Sequence, residues 1–107
     1  MPSLPPAATL TDLQTYVAEM EDERGFNEQT SIDACLLLGE EVGEVFKAVR
    51  TDSGLTVDRP GGEVGHELAD VLIMVCAIAN RHAVDLDAAF RAKEGINESR
   101  RWRPRTS

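Results

Sequence analysis

Five carboxylates fall into two short clusters, and their spacing is the sequence feature that points most directly to chemistry. Glu40, Glu41 and Glu44 lie in GEEVGE, and Glu67 and Asp70 lie in HELAD. Both clusters interrupt apolar helical segments, where isolated negative charges are costly unless a cation binds between them. Oxygen ligands suit Mg²⁺ or Mn²⁺ better than zinc, which prefers His and Cys. Such a cation commonly completes its shell with phosphate oxygens, so the pattern indicates a phosphate-bearing substrate.

The second cluster lies at the start of a predicted central helix. From Leu68 to Ala79, apolar side chains surround every side of the helix, which predicts that it is buried. Glu67 and Asp70 are three residues apart and therefore neighbours on one helix face. Their like charges repel unless they share a counter-ion, so this pair favours a metal site over a solubilising surface.

The first cluster forms a stripe on a second predicted helix, opposite a run of apolar residues. Read alone, this stripe of Glu40, Glu41 and Glu44 fits a solvated helix face better than a metal site. The second acidic cluster on a buried helix reverses that preference. Gly39 and Gly43 beside the acids suggest the close approach of another helix.

The acids also carry a family resemblance. The arrangement Glu-x-x-Glu (Glu41, Glu44), then 22 intervening residues, then Glu-x-x-Asp (Glu67, Asp70) resembles the signature of the MazG-like, all-α nucleoside triphosphate pyrophosphohydrolases. The segments GEEVGEVFKAVR and HELADVLIMVCAIANRHAVDL resemble the two core helices of that family, and KEGINESRRW resembles the ending of its smaller members. The resemblance extends over roughly residues 10 to 103.

The resemblance implies hydrolysis of a nucleoside triphosphate to the monophosphate and pyrophosphate, in a nucleotide-pool housecleaning role. It implies Mg²⁺ as the cofactor, with Mn²⁺ as a possible substitute, held by Glu41, Glu44, Glu67 and Asp70. Glu40 matches a position suspected of holding a further metal or orienting the attacking water. We assign Glu40 as the candidate general base, because a carboxylate tied to a cation is a poor proton acceptor. Base and sugar specificity stay open.

Residues near the C-terminus are candidates for substrate contact. Lys93, Asn97 and Arg100 follow each other at spacings of four and three, so they share one helix face. That face is either solvated or directed at phosphates, and the resemblance favours substrate binding. Trp102 either stacks on a base or packs on a neighbouring subunit. Phe26 could line a nucleoside pocket, but interior packing is the favoured interpretation.

Two other classes of protein fit part of this pattern. A carboxylate-bridged di-iron bundle uses paired Glu-x-x-His motifs, and Glu63-x-x-His66 supplies only half of that pattern, since Ala79 stands three positions before His82. A non-catalytic helical oligomer that binds nucleotide or another protein is the main alternative to an enzyme. Metal-dependent release of pyrophosphate separates these two functions.

The helices that must position the acids can be predicted from local signals. We expect a flexible leader at 1–9, a single helical domain at 10–103 and a tail at 104–107. Thr11 and Gln14 suggest a capping box at the start of helix one, and Gly25 ends that helix. The other three helices are expected to begin near Thr30 or Ser31, near Glu63 and after Asp85, the second and third helices ending near Arg50 and Arg81.

Composition bounds the class of protein. A chain of 107 residues with 42% hydrophobic residues and few aromatics predicts one core of packed helices, in an all-α, four-helix-bundle-like fold. The third helix is apolar on every side and four short helices leave few layers to cover it, so we expect a homo-oligomer, a dimer or tetramer, which the family resemblance also implies. A net charge of −8 does not favour nucleic acid as a partner. The longest apolar run, VLIMVCAIA, is too short to span a membrane. Cys35 and Cys76 are predicted to be buried thiols in a reducing cytoplasm.

Overall fold

The computed structural model describes residues 2–55 and 58–100, and within these ranges it contains four α-helices and no strand. Helix α1 spans Leu10–Arg24, α2 spans Ser31–Asp52, α3 spans Val64–Arg81 and α4 spans Leu86–Glu98. The all-α, four-helix class predicted from the sequence is therefore confirmed. None of the helices in the described part of the chain is long and apolar enough to cross a membrane.

Helix α1 begins earlier than its sequence signals suggested. Thr9 is the N-cap: its Oγ1 accepts a hydrogen bond from the Asp12 N–H at 3.1 Å, and Asp12 Oδ2 accepts one from the Thr9 N–H at 2.9 Å. The prediction of a box at Thr11 and Gln14 was wrong, because the short Asp12 side chain completes this reciprocal pair two residues earlier. The predicted end is confirmed, since Gly25 adopts the left-handed conformation with φ 75°.

The remaining helices begin where the sequence predicted. Thr30 and Asp33 form a second reciprocal capping box at the start of α2. These hydrogen bonds with the Thr30 backbone and side chain lower the pKa of Asp33. Glu63 precedes α3, and the Asp85 side chain accepts hydrogen bonds from the first turn of α4. Local side-chain hydrogen bonds therefore place the starts of α2 and α4, whereas Glu63 makes no side-chain capping bond at the start of α3.

Helix α3 packs most extensively against α2, and it also contacts α1. The buried core joins Val17 and Met20 of α1 to Cys76 and Ala77 of α3. Because this core gathers at the second half of α3, the first half is only partly covered, and Leu68 is 51% exposed. The prediction that α3 is buried on every side is therefore wrong for its first half in the single chain.

One face of α2 has no cover within the described residues of a single chain. Leu36 is 67% exposed and Phe46 is 64% exposed. Cys35 is exposed as well, so the prediction of a buried Cys35 was wrong, whereas Cys76 is buried and desolvation raises its pKa. A Cβ added at Gly39 or Gly43 would meet nothing within 4 Å. The close helix approach predicted there is absent from the described part of the chain.

The buried amide of Gln14 and the half-buried amide of Asn80 tie α1 to α3 and to the start of α4. Gln14 Nε2 donates to Asn80 Oδ1 at 3.1 Å and to the Val84 carbonyl at 2.8 Å, while Gln14 Oε1 accepts from the Leu86 N–H at 2.8 Å. Asn80 Nδ2 donates back to the Gln14 carbonyl at 2.9 Å. The side-chain amide of Gln14 thus uses both its donor and its acceptor groups to join three helices.

Candidate metal centre

Three carboxylates converge where the middle of α2 packs against the start of α3. Glu41 on α2 and Glu67 and Asp70 on α3 each present one oxygen atom, and these three atoms all lie within 4.8 Å of one another. Glu67 and Asp70 stand three residues apart on one face of α3, as their spacing predicted. Three carboxylate oxygens at this separation form a donor set that suits a hard divalent cation such as Mg²⁺ or Mn²⁺.

The carboxylates of this group repel one another, and the effect is clearest at Glu41. Burial raises the pKa of the Glu41 carboxyl, and the negative charge of Asp70 raises it further. Smaller contributions of the same sign come from three other acids: Glu67, Glu44 and Glu40. The other four acids singled out in the sequence therefore all raise the pKa of Glu41, and a bound cation would relieve their repulsion.

Not all of the predicted site acids belong to the group of converging carboxylates. Glu44 and Glu40 are exposed, and neither belongs to the three-oxygen group formed by Glu41, Glu67 and Asp70. Both lie on α2 and both influence the pKa of Glu41 through their charge. The role of Glu44 as a metal ligand and that of Glu40 as a general base stay predictions.

A pair of glycines before α3 contributes to the site in a way that sequence reasoning missed. A Cβ at Gly61 would lie 2.7 Å from the backbone N and Cα of Ala48 on α2. The Gly61 N–H donates to Thr51 Oγ1 at 2.9 Å, which holds the loop against α2. A Cβ at Gly62 would lie 2.5 Å from Glu67 Oε1. The run PGG shortly before HELAD is the sequence signal that could have indicated this contact.

A cavity of about 260 Å³ adjoins the carboxylates between α1, α2 and α3. Asp70 lines it, so the cavity and the three-carboxylate group share a residue. Its lining is mainly apolar and includes Met20, Phe26 and Met74, with Gln29 among the polar residues. Phe26 is 43% exposed, so the prediction that it packs in the interior was wrong. The link between α1 and α2 instead uses Phe26 as a cavity wall.

The predicted substrate residues near the C-terminus lie on or after α4, which packs against α1. Lys93 is exposed, and Asn97 Nδ2 donates to Glu94 Oε1 at 2.9 Å within the helix. Arg100 stands just past the last residue of α4, and Trp102 lies outside the described residues. Their role in substrate binding stays a prediction.

Comparison with known proteins places this arrangement in a family. The family model of the MazG nucleotide pyrophosphohydrolase domain matches residues 28–99, a range that contains all five acids. A curated relative, the dATP/dGTP diphosphohydrolase of Salmonella phage PMBT28, is 32% identical over 94 residues, which cover 88% of this chain. The matched region is only 28% of the relative's length, so this chain spans less than a third of that protein.

Solved structures of MazG-like proteins resemble this chain in both fold and sequence. One similar structure is the MazG-like pyrophosphohydrolase of cyanophage S-2L, bound to dGDP and three catalytic Mn²⁺ ions per active site. Its TM-score is 0.71 and its sequence identity 29%, and the match covers 92% of this chain and 87% of that one. The iMazG protein of Vibrio DAT 722 is similar with a TM-score of 0.64 and 31% identity, covering 89% and 99%. With its four helices, its acidic group and a family match over residues 28–99, this chain belongs to the MazG nucleotide pyrophosphohydrolase family.

Proposed function

We propose that this protein hydrolyses nucleoside or deoxynucleoside triphosphates to the monophosphate and pyrophosphate, using Mg²⁺ or Mn²⁺, on the cytoplasmic nucleotide pool. The observation that carries this proposal is the three-carboxylate group on α2 and α3, whose Asp70 also lines a largely apolar cavity. Two similar proteins are named as a dATP/dGTP diphosphohydrolase and as a pyrophosphohydrolase bound to dGDP and Mn²⁺. Purine deoxynucleotides are therefore the first substrates to test.

In the proposed reaction, the oxygen of water attacks the α-phosphorus and the bond to the β-phosphate bridging oxygen breaks. When bound, the divalent cation neutralises phosphate charge and activates water. Glu41, Glu67 and Asp70 hold the cation, and Glu44 joins them as the fourth ligand of the motif. Glu40 accepts the proton from the attacking water, since it stands next to Glu41 and outside the ligand group.

The cavity and the carboxylate group are suited to different parts of the substrate. A cavity of about 260 Å³ lies just below the usual size of a site that encloses a whole drug-sized ligand, so it fits a base rather than an entire nucleotide. We place the base in this cavity and the phosphates over the acids beside Asp70. Lys93, Asn97 and Arg100 are proposed to contact the phosphates, and Trp102 to contact the base or a neighbouring subunit.

A homo-oligomer, either a dimer or a tetramer, is part of this proposal. Large apolar side chains are exposed along α2 and α4, including Ile32, Leu36, Phe46 and Phe90. Exposed large apolar side chains along a helix face favour a subunit interface. Gly39 and Gly43 lie on α2 with open space around them, which allows a second chain to approach closely.

The test is to incubate the purified protein with ribo-, deoxyribo- and modified nucleoside triphosphates, in the presence of Mg²⁺, Mn²⁺ or EDTA. Monophosphate and pyrophosphate are then separated from diphosphate and phosphate. Metal-dependent monophosphate plus pyrophosphate is the expected result. Glu41→Gln should abolish it, whereas Glu19→Gln, at an exposed acid on α1, should not. Folded, metal-binding protein without turnover on any substrate would favour the non-catalytic alternative.

A further inference from the structure

Arg81, the last residue of α3, uses every one of its N–H donors within the protein. Nη1 and Nη2 donate to the two carboxylate oxygens of Glu21 at 2.9 and 2.8 Å, which forms a bidentate ion pair. The three remaining hydrogen bonds go to backbone carbonyls: Nε to Gln29 at 2.8 Å, Nη1 to Ala77 at 2.9 Å and Nη2 to Phe26 at 3.0 Å. A guanidinium has five N–H donors, so this set is complete.

The residues that Arg81 bonds line the cavity beside the candidate metal centre. Glu21, Phe26 and Gln29 all line that cavity, whereas Arg81 does not. Phe26 and Gln29 belong to the link between α1 and α2, which has no helix of its own. Within the link, the Phe26 N–H donates to the Glu21 carbonyl at 2.7 Å and the Gln29 N–H donates to the Phe26 carbonyl at 3.1 Å. Arg81 therefore holds the link against the end of α3 without lining the cavity itself.

We infer that Arg81 is a positioning residue for nucleoside selectivity: it holds Phe26 and Gln29 where a base in the cavity would meet them. This inference rests on the proposed function. Phe26 offers an aromatic face for stacking on a base. The Gln29 side chain offers donors and an acceptor that can distinguish the edge of one base from another.

The charge on Arg81 alone is not sufficient for this role. Lysine keeps the positive charge, but it has three donors at a single point and cannot bond both Glu21 oxygens and two link carbonyls in the fork geometry. Arg81→Lys should therefore loosen the link while it retains charge compensation for Glu21. A displacement of about 1 Å in a binding wall can change catalytic parameters by up to about a hundredfold.

The experiment compares wild type with Arg81→Lys and with Arg91→Lys. Arg91 makes an exposed ion pair with Asp87 at 3.2 Å on α4, so it is a matched control for the substitution. For the four common deoxynucleoside triphosphates, kcat and KM are measured, together with Mn²⁺ binding by calorimetry and folding by circular dichroism. Arg81→Lys should raise KM for the preferred substrate about tenfold. The ratio of kcat/KM between the best and the worst of the four substrates should fall by about the same factor. Its kcat and Mn²⁺ affinity should stay within about threefold of wild type.

A variant with a lower melting temperature but unchanged KM and unchanged selectivity would overturn the inference, because Arg81 would then be only a structural residue. If Arg81→Lys does not fold, the double variant Glu21→Gln with Arg81→Met replaces it, because removing both charges leaves no unpaired buried ion. The same two readouts decide the result for that variant.

Absence of turnover by the wild type on every triphosphate would count against the proposed function and not against this inference. Binding of α,β-methylene deoxynucleotides in Mn²⁺, measured by calorimetry, then replaces the kinetic readout. Discrimination among bases by wild type that is lost in Arg81→Lys supports the role of Arg81. Equal affinity for all bases in wild type, or no binding, overturns it.

Discussion

Glu67 Oε1 lies 2.5 Å from the position that a Cβ on Gly62 would occupy. Real side chains do not approach this closely, so glycine at position 62 leaves the space in which the Glu67 carboxylate sits. Glu67 is one of the three acids that converge at the candidate metal centre. The loop before α3 thus determines where one of the candidate ligands can stand.

Gly62→Ala is expected to weaken metal binding more than it weakens the fold. The added methyl group meets the end of a flexible side chain, which can move, but the Glu67 carboxylate then leaves its partners Glu41 and Asp70. Substitution of a group that orients a ligand typically lowers metal affinity by about 10–100-fold, and calorimetric titration with Mn²⁺ measures that change.

Gly65→Ala is the matched control, because a Cβ at Gly65 would meet nothing within 4 Å. It should retain wild-type Mn²⁺ affinity and, as a helical Gly→Ala change, raise stability by up to about 1 kcal/mol. Equal Mn²⁺ affinity of the Gly62 and Gly65 variants would contradict the proposed contact.

Gly61→Ala should act on stability. Its Cβ would lie 2.7 Å from the backbone N and Cα of Ala48, and a helix backbone cannot yield as a side chain can. The loop would have to lift from α2, with loss of the hydrogen bond from Gly61 N–H to Thr51 Oγ1. We expect a loss of about 1–3 kcal/mol in the free energy of unfolding, measured by urea denaturation in EDTA. A urea midpoint equal to that of wild type would show that Gly61 is not in close contact with the backbone of α2.

Glu41→Gln should stabilise the metal-free protein while it removes metal binding. Burial and neighbouring acids raise the pKa of Glu41 in the folded state. A carboxyl with a raised folded pKa favours folding fully at pH values below its unfolded pKa, and that contribution is lost as pH rises through the folded pKa. At neutral pH in EDTA, the variant should therefore melt at a higher temperature than wild type.

The pH and metal dependence provide the control for the Glu41 prediction. The advantage of Glu41→Gln should shrink as the pH is lowered below the Glu41 pKa, since wild-type Glu41 is then protonated. Added Mn²⁺ should raise the melting temperature of wild type and not that of the variant. A variant that melts below wild type at neutral pH in EDTA would show that the acidic group carries no repulsion.

Gln14→Leu is expected to destabilise the fold by about 2–3 kcal/mol, because it leaves the Leu86 N–H and the Val84 carbonyl without their buried partner. Chemical denaturation measures the loss. A double-mutant cycle with Asn80→Ala should give a coupling above about 0.5 kcal/mol, since the two side chains share hydrogen bonds. Additive effects of the two substitutions would mean that the pair does not act as a unit.

Leu36→Glu should dissociate the proposed oligomer, because it places a charge on the uncovered apolar face of α2, where Leu36 is 67% exposed. Light scattering coupled to gel filtration at micromolar concentration measures the mass. Thr15→Glu, at an exposed position on α1, is the control and should keep the wild-type mass. A wild type that is already monomeric would contradict the oligomer.

The helix limits were largely predictable because they depend on residues close together in sequence. Gly25, Thr30 and Asp85 act within a few positions of the ends they define. The error at α1 has the same origin. Thr9 stands only two residues before the predicted cap Thr11, and its reciprocal hydrogen bonds with Asp12 make it the N-cap.

By itself, the sequence determined the four helices, the shared face of Glu67 and Asp70, and the family that those acids indicate. Only the tertiary structure decided that Glu41 joins them, that Gly62 bounds Glu67, and that Asp70 lines the cavity. The same holds for Arg81, whose partner Glu21 lies 60 residues away in sequence. Helical periodicity specifies which residues share a face of one helix, whereas the packing of helices specifies which faces meet, and no local pattern records that choice.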